Sequence, residues 1–136
     1  MLSLKPSGRP VKFGKFINSH LFGREQENNA AAYLRKQGLK LVCKNYHSRF
    51  GEIDLIMMDK STLVFVEVRY RRHNTFGGAI GSVSISKQHR IRVTASQFLQ
   101  SQKKFQHLMC RFDVIGISQR TGDTMQKFHW VKDAFT

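Results

Sequence analysis

The chain has 136 residues, 40% of them hydrophobic, with 23 Lys or Arg against 9 Asp or Glu and a formal net charge of +14. This is one domain's length with an ordinary core fraction, so neither a disulfide framework nor a metal staple is needed merely to fold it. No stretch approaches the roughly 18 uninterrupted apolar residues of a membrane span, which leaves a cytoplasmic protein with no membrane partner as the expectation, and so strong a positive charge points to a polyanion, nucleic acid first.

Residues 1–20 carry Lys5, Arg9, Lys12, Lys15 and His20 with both prolines and no acid, and read as a flexible basic arm, with residues 21–136 as a single domain. From Gly23 to Gln37 the period is helical: Glu27, Ala30, Ala31 and Leu34 share one face, and Gly38 supplies the stop. Glu27 therefore lies on an apolar face, where a carboxylate must snorkel, pair or hold a cation. Leu39 to Cys43 reads as a short first strand and Lys44 to Gly51 as a polar connection. Cys43 and, much later, Cys110 each sit in an apolar run without a second nearby cysteine, and both are read as reduced, buried thiols rather than zinc ligands.

GEIDLIMM (51–58) and TLVFVEVRYR (62–71) then form a hairpin around Lys60 and Ser61. With that turn, Asp54 stands opposite Glu67, Glu52 opposite Arg69, Ile56 opposite Phe65 and Met58 opposite Leu63, all on one face. Ile53, Leu55 and Met57 lie beside Val64, Val66 and Val68 on the other. An ion pair with Arg69 accounts for Glu52. Asp54 facing Glu67 has no such explanation, because directly opposed like charges are destabilising, and two facing carboxylates call for a cation.

Residues 72–83 are a Gly-rich loop without the Gly-Lys-Ser/Thr of a phosphate loop, expected to be a mobile rim. Ser84 or Ser86 can cap the next helix, whose stripe Ile91, Ala95, Phe98 and Leu99 is preceded one turn earlier by Lys87, with His89, Arg90 and Arg92 around the rest of its surface. CRFDVIGI (110–117) reads as another strand and Lys127 to Val131 as the last, with Trp130 as an anchor beside Phe112 and Phe135 in the core. The order α β β β α β β predicts an α/β fold, a mixed central sheet flanked by helices.

Oxygen ligands in pairs suit hard cations such as Mg²⁺ or Mn²⁺, which are held by one or two carboxylates together with phosphate oxygens and water. Asp54 and Glu67 fit that description, and Arg69 and Lys87 are placed to stabilise charge on a phosphate. Arg71, Arg72, Arg90 and Arg92 are the candidate nucleic-acid contacts, read as a group. Phe76 in the Gly-rich loop is a candidate for stacking on a base.

Asp54 followed by Glu67-Val68-Arg69 resembles the core of the PD-(D/E)xK, or restriction-endonuclease-like, nucleases, with Glu27 matching their first acidic position. More closely, Gly23 with Glu27, Ala30 and Leu34, then GEIDLI (51–56), FVEVRYR (65–71), Lys87, CRFDV (110–114) and WVKDAF (130–135) resemble the YraN family of uncharacterised bacterial proteins over about residues 22–135. The resemblance implies an endonuclease-like fold similar to archaeal Holliday junction resolvases, with Glu27, Asp54 and Glu67 as metal ligands and Lys87 near the phosphate. Resolvase-like folds often act as dimers, since a junction presents two symmetric strands, so a homodimer is an expectation from the resemblance, although nothing in this chain marks an interface. One departure stands out: the usual Lys is Arg69. Arginine stays protonated and cannot act as a general base, though it still binds phosphate bidentately. The expected function is thus a nuclease-like protein hydrolysing phosphodiester bonds in DNA, branched DNA included. The alternatives are a non-catalytic nucleic-acid-binding module and a basic subunit of a nucleoprotein assembly.

Overall fold

The structure, a computed structural model, describes residues 13–71 and 83–136, with side chains from residue 19 onward in the first helix. Its elements run α1 (Phe13–Lys36), β1 (Lys40–Ser48), β2 (Gly51–Asp59), β3 (Thr62–Arg71), α2 (Ile85–Ser101), a 3₁₀ turn (Lys103–Phe105), β4 (Met109–Ser118) and β5 (Lys127–Phe135). The five strands form one mixed sheet in sequence order. Neighbours are antiparallel except β3 and β4, which run parallel from Thr62↔Met109 to Arg71↔Ser118 and are joined through α2. This is the expected α β β β α β β order, consistent with a restriction-endonuclease-like fold.

The central strands are apolar on both faces because each face has its own helix. Ala30, Ala31 and Leu34 of α1 pack with Leu55, Met57, Val64, Val66, Ile115 and Ile117. On the other face Ile91, Ala95 and Phe98 of α2 pack with Ile56, Leu63, Phe65 and Val114. Trp130 joins the first cluster, Phe112 and Phe135 the second, each half-buried. Helix α1 stops where its glycine predicts: Gly38 takes φ +100°, the Gly38 amide donates to Arg35 and the Leu39 amide to Leu34, closing a Schellman motif. Ser84 caps α2 by accepting from the Lys87 amide at 3.1 Å.

Several boundaries differ from the sequence reading. Helix α1 begins at Phe13, so residues 13–20 of the expected arm belong to it, while residues 1–12 lie outside the described residues. Strand β1 continues through the polar Lys44–Ser48, which tolerates such residues because β1 is an edge strand with one side open to water. The connection to β2 is accordingly only Arg49 and Phe50, between the paired Ser48 and Gly51. Strand β5 extends to Phe135. Cys110 is exposed rather than buried, and Cys43 half-buried; both are free thiols. The Gly-rich loop, with Arg72 and Phe76, lies outside the described residues, although Val83 at its end is buried against α2's side of the sheet.

A buried polar hub ties the far sheet edge together. The Asp113 carboxylate, 0% exposed, accepts from Arg111 Nε at 2.8 Å, Arg111 Nη2 at 3.0 Å, Trp130 Nε1 at 2.9 Å and the Asp133 amide at 2.9 Å. Arg111 also reaches Asp59 Oδ2 at 3.0 Å. These bonds hold the Arg111 guanidinium above its usual range, Asp113's hydrogen bond first. With its charge paired and its lone pairs filled, Asp113 is stable where an isolated carboxylate would not be.

Candidate functional site

The site lies where β2 and β3 part. Their ladder runs in the expected register from Asp59↔Thr62 to Leu55↔Val66 and ends there. Beyond that point β2 pairs only with β1, through Glu52 and Gly51, and β3 only with β4, through Arg71. The separation leaves the Val68 N–H without a strand partner on that side, and Asp54 Oδ2 takes it at 2.8 Å. A side chain thus fills the gap that backbone would otherwise close, and it fixes the Asp54 carboxylate in the opening between the strands.

Ile53 also leaves its expected face. Expected beside Leu55 and Met57, it packs instead with Ile56 and the α2-side cluster, because the strict two-residue alternation fails where the strand leaves its neighbour. The expected cross-strand pair of Glu52 with Arg69 does not form for the same reason. Glu52 meets His47 on β1 at 3.2 Å, with both side chains exposed. Arg69 Nε is left buried without a hydrogen-bond partner.

Glu67, 7% exposed, receives the Lys87 ammonium at 3.2 Å from the first turn of α2. Asp54 and Glu67 face each other as expected. Desolvation, then the hydrogen bond and the charge of Glu67, hold the Asp54 carboxyl well above the usual carboxylate range, although the Val68 amide pulls in the opposite direction. Glu27 enters from α1. Burial raises its carboxyl too, opposed by a hydrogen bond to the Asn45 side chain, and its Oε2 has no partner. Asn45 is positioned for this by a left-handed φ of 52° inside β1, a conformation that asparagine tolerates better than most residues.

Glu27, Asp54, Glu67, Arg69 and Lys87 line one cleft of about 220 Å³ together with Phe22, Gln26 and Tyr70. Five residues singled out in the sequence, from two helices and two strands, thus come together. The basic candidates divide. Arg90 is exposed and lines an adjoining cleft that shares Lys87. Arg71 is half-buried and donates to the Tyr70 carbonyl at 3.1 Å, and Arg92 donates to the Thr136 carbonyl at 2.9 Å. Sequence reasoning missed Asn45, because β1 was read to end before it. It also missed Gln26, which is buried and accepts from Gln126 Nε2 at 2.8 Å, and Phe22, set edge-on to Tyr70 at 4.8 Å. Gln26 and Phe22 stand one and five residues before Glu27, spacings that do not share its helical face, so the sequence carried no signal for either.

Among the described residues no three His, Cys, Asp or Glu side chains already form a metal cage. The donor set nevertheless suits a hard cation: two facing carboxylates, a third whose buried oxygen is unpartnered, and oxygen ligands throughout. A cation in this cleft would be held by Asp54 and Glu67, with Glu27 at the cleft wall.

A family model described as uncharacterised protein family UPF0102 matches residues 26–117. The chain belongs to that family. A UPF0102 protein of Pseudomonas entomophila (strain L48) is 46% identical over 113 residues, covering 83% of this chain and 91% of the relative. One from Nitrosococcus oceani is 47% identical over 113 residues, covering 83% and 90%, and one from Psychromonas ingrahamii 46% over 109 residues, covering 80% and 84%. The UPF0102 membership agrees with the YraN resemblance. The matched region includes the Glu27, Asp54, Glu67, Arg69 and Lys87 cleft and omits the first 25 residues. No helix among the described residues is long and apolar enough to cross a membrane.

Proposed function

We propose that this UPF0102 protein is a nucleic-acid-binding, nuclease-like protein that uses Mg²⁺ or Mn²⁺ to hydrolyse phosphodiester bonds in DNA, branched DNA included. The observation that carries this reading is the pair of facing carboxylates, Asp54 and Glu67, fixed at the opening of a sheet in a chain of net charge +14. Negative charge concentrated in a poorly solvated cleft of a basic protein costs stability unless it serves a cation.

Asp54 and Glu67 would hold the ion, which when bound supplies charge neutralisation at the phosphate and a more acidic water. The chain's own groups do the rest. Lys87, 34% exposed and already at 3.2 Å from Glu67, has further ammonium donors to bring a phosphate oxygen beside the acids. The unpartnered Nε of Arg69 offers a fixed donor in the same cleft. The Val68 amide keeps Asp54 oriented. Arg90 extends the positive wall along α2.

A second reading, a binding module without chemistry, is favoured by Arg69, whose side chain cannot accept a proton from water. The two are separated by titrating the protein with Mg²⁺ and Mn²⁺ against labelled four-way junction, duplex and single-stranded DNA, scoring binding and cleavage together. Metal-dependent cutting that disappears in Asp54→Ala and Glu67→Ala supports the nuclease reading. Salt-sensitive binding without cutting, unchanged or tightened in Asp54→Ala, supports the binding module. Absence of binding to any of the three overturns both.

A further inference from the structure

Beside the acid cleft, the tip of the β1–β2 hairpin carries an aromatic side chain that the core does not use. Phe50 is 41% exposed, and the Arg49 guanidinium lies over its ring at 5.0 Å. The tip is braced. Ser48 Oγ accepts from the Phe50 amide at 3.1 Å and meets Thr94 Oγ1 of α2 at 3.4 Å, while Thr94 donates to the Arg90 carbonyl at 2.8 Å. Gly51 closes the turn at φ +153°, where an added Cβ would come within 3.3 Å of Thr94 Oγ1 and 3.6 Å of Arg90 Cβ. A rigid seat on α2 therefore presents Phe50 outward instead of letting it fold down.

Phe50 lines a cleft of about 480 Å³ with His47, Arg49, Glu52, Lys87 and Arg90, a volume within the roughly 300–1,000 Å³ of small-ligand sites. Lys87 lines this cleft and the acid cleft alike, so the two adjoin at that side chain. Its one acid, Glu52, is already paired with His47. An isolated aromatic ring among cations is a poor match for an apolar protein surface, which would need a wider apolar patch. It is a good match for a nucleobase, which needs one ring face and flanking positive charge for its phosphates.

Resting on the nucleic-acid reading above, we propose that the Arg49–Phe50 hairpin tip is a stacking platform for an unpaired nucleobase, so that the protein selects DNA with single-stranded character next to the acid cleft. Inside a duplex both faces of a base are taken by its neighbours. A ring held at a rigid tip reaches a free base face only where a strand ends, forks or is single.

The test is fluorescence anisotropy of labelled single-stranded, forked and blunt duplex DNA with the full chain, without divalent metal, for the unmodified protein, Phe50→Leu and Phe50→Trp. Phe50→Leu is expected to weaken binding to single-stranded and forked DNA about tenfold while changing the salt slope little and blunt-duplex affinity by at most about twofold. Phe50→Trp should keep the affinity and show emission, beyond that of Trp130, that is quenched by single-stranded DNA. Unchanged single-strand binding in Phe50→Leu, an equal loss on duplex, or a Phe50→Trp emission indifferent to DNA overturns the stacking platform and leaves the nucleic-acid reading standing. Failure of the unmodified protein to bind any of the three DNAs overturns both.

Discussion

Replacing Asp54 by Asn should make the metal-free protein more stable, not less. Asn keeps an acceptor for the Val68 amide, which Asp54 engages at 2.8 Å, and occupies nearly the same volume, so the change removes a charge and little else. That charge is unfavourable where it stands: desolvation and Glu67 push the Asp54 carboxyl well above its usual range. Opposed like charges on a sheet cost up to about 1 kcal/mol when solvated, and a poorly solvated pair costs more, so a gain of about 1–2 kcal/mol is expected above neutral pH. For a chain of this size that corresponds to a rise in Tm of roughly 3–10 °C. The pH dependence has a fixed sign. A carboxyl raised in the folded state binds more protons there than in the unfolded chain, so its contribution is fully present below the ordinary carboxylate range and is lost as pH rises through the folded value. Unmodified protein and Asp54→Asn should therefore converge in acid and separate as pH rises. Differential scanning calorimetry in a chelating buffer from about pH 4 to about pH 8 reads this directly. An Asp54→Asn protein no more stable than its parent at the upper end, or an offset independent of pH, would refute the electrostatic account of the site.

Asp113→Ala leaves the half-buried Arg111 beside Asp59 without its main partner and removes the acceptor for Trp130 and the Asp133 amide, and is expected to cost about 3–5 kcal/mol in urea unfolding; a loss below about 1 kcal/mol would show that the hub is dispensable. If the nuclease reading holds, Arg69→Lys should raise Mg²⁺-dependent cleavage at least about tenfold by introducing a side chain that can exchange a proton, and an unchanged rate would show that the residue at position 69 does not limit cleavage. In the native protein a thiol reagent should modify the exposed Cys110 before the half-buried Cys43, and the reverse order, read by peptide mapping, would contradict the placement of β1 and β4.

How much was legible in the sequence depended on how far each local rule carried. The β2–β3 hairpin and its register were readable because a two-residue turn at Lys60 and Ser61 fixes the pairing, and the pairs from Asp59↔Thr62 to Leu55↔Val66 follow from it. The same rule failed three residues beyond the Leu55↔Val66 pair, at Glu52 and Arg69, since nothing in either strand announces that they part after Leu55. Lys87 was placed correctly because helical spacing from Ile91 puts it on the inward stripe, where it reaches Glu67. Strand β1 was cut short because Lys44 to Ser48 are polar, a composition that suits a loop and an open sheet edge equally well. Residues 13–20 read as an arm because their Lys and His obscure any apolar stripe, yet they belong to α1. The Asp113 hub could not be read at all. Its partners come from β2, β4 and β5, and no spacing rule links Asp59, Arg111 and Trp130.

The most direct measurement of the central claim is isothermal titration of the purified full chain with Mn²⁺, alongside Asp54→Asn and Glu67→Gln, in the absence of nucleic acid. Saturable binding to the unmodified protein is expected, lost or weakened at least about tenfold in each variant, while both variants remain folded by circular dichroism. Mn²⁺ binding of equal strength in all three proteins, or none in the unmodified chain even when non-cleavable DNA is added, would contradict the assignment of Asp54 and Glu67 as the ligands of a catalytic cation.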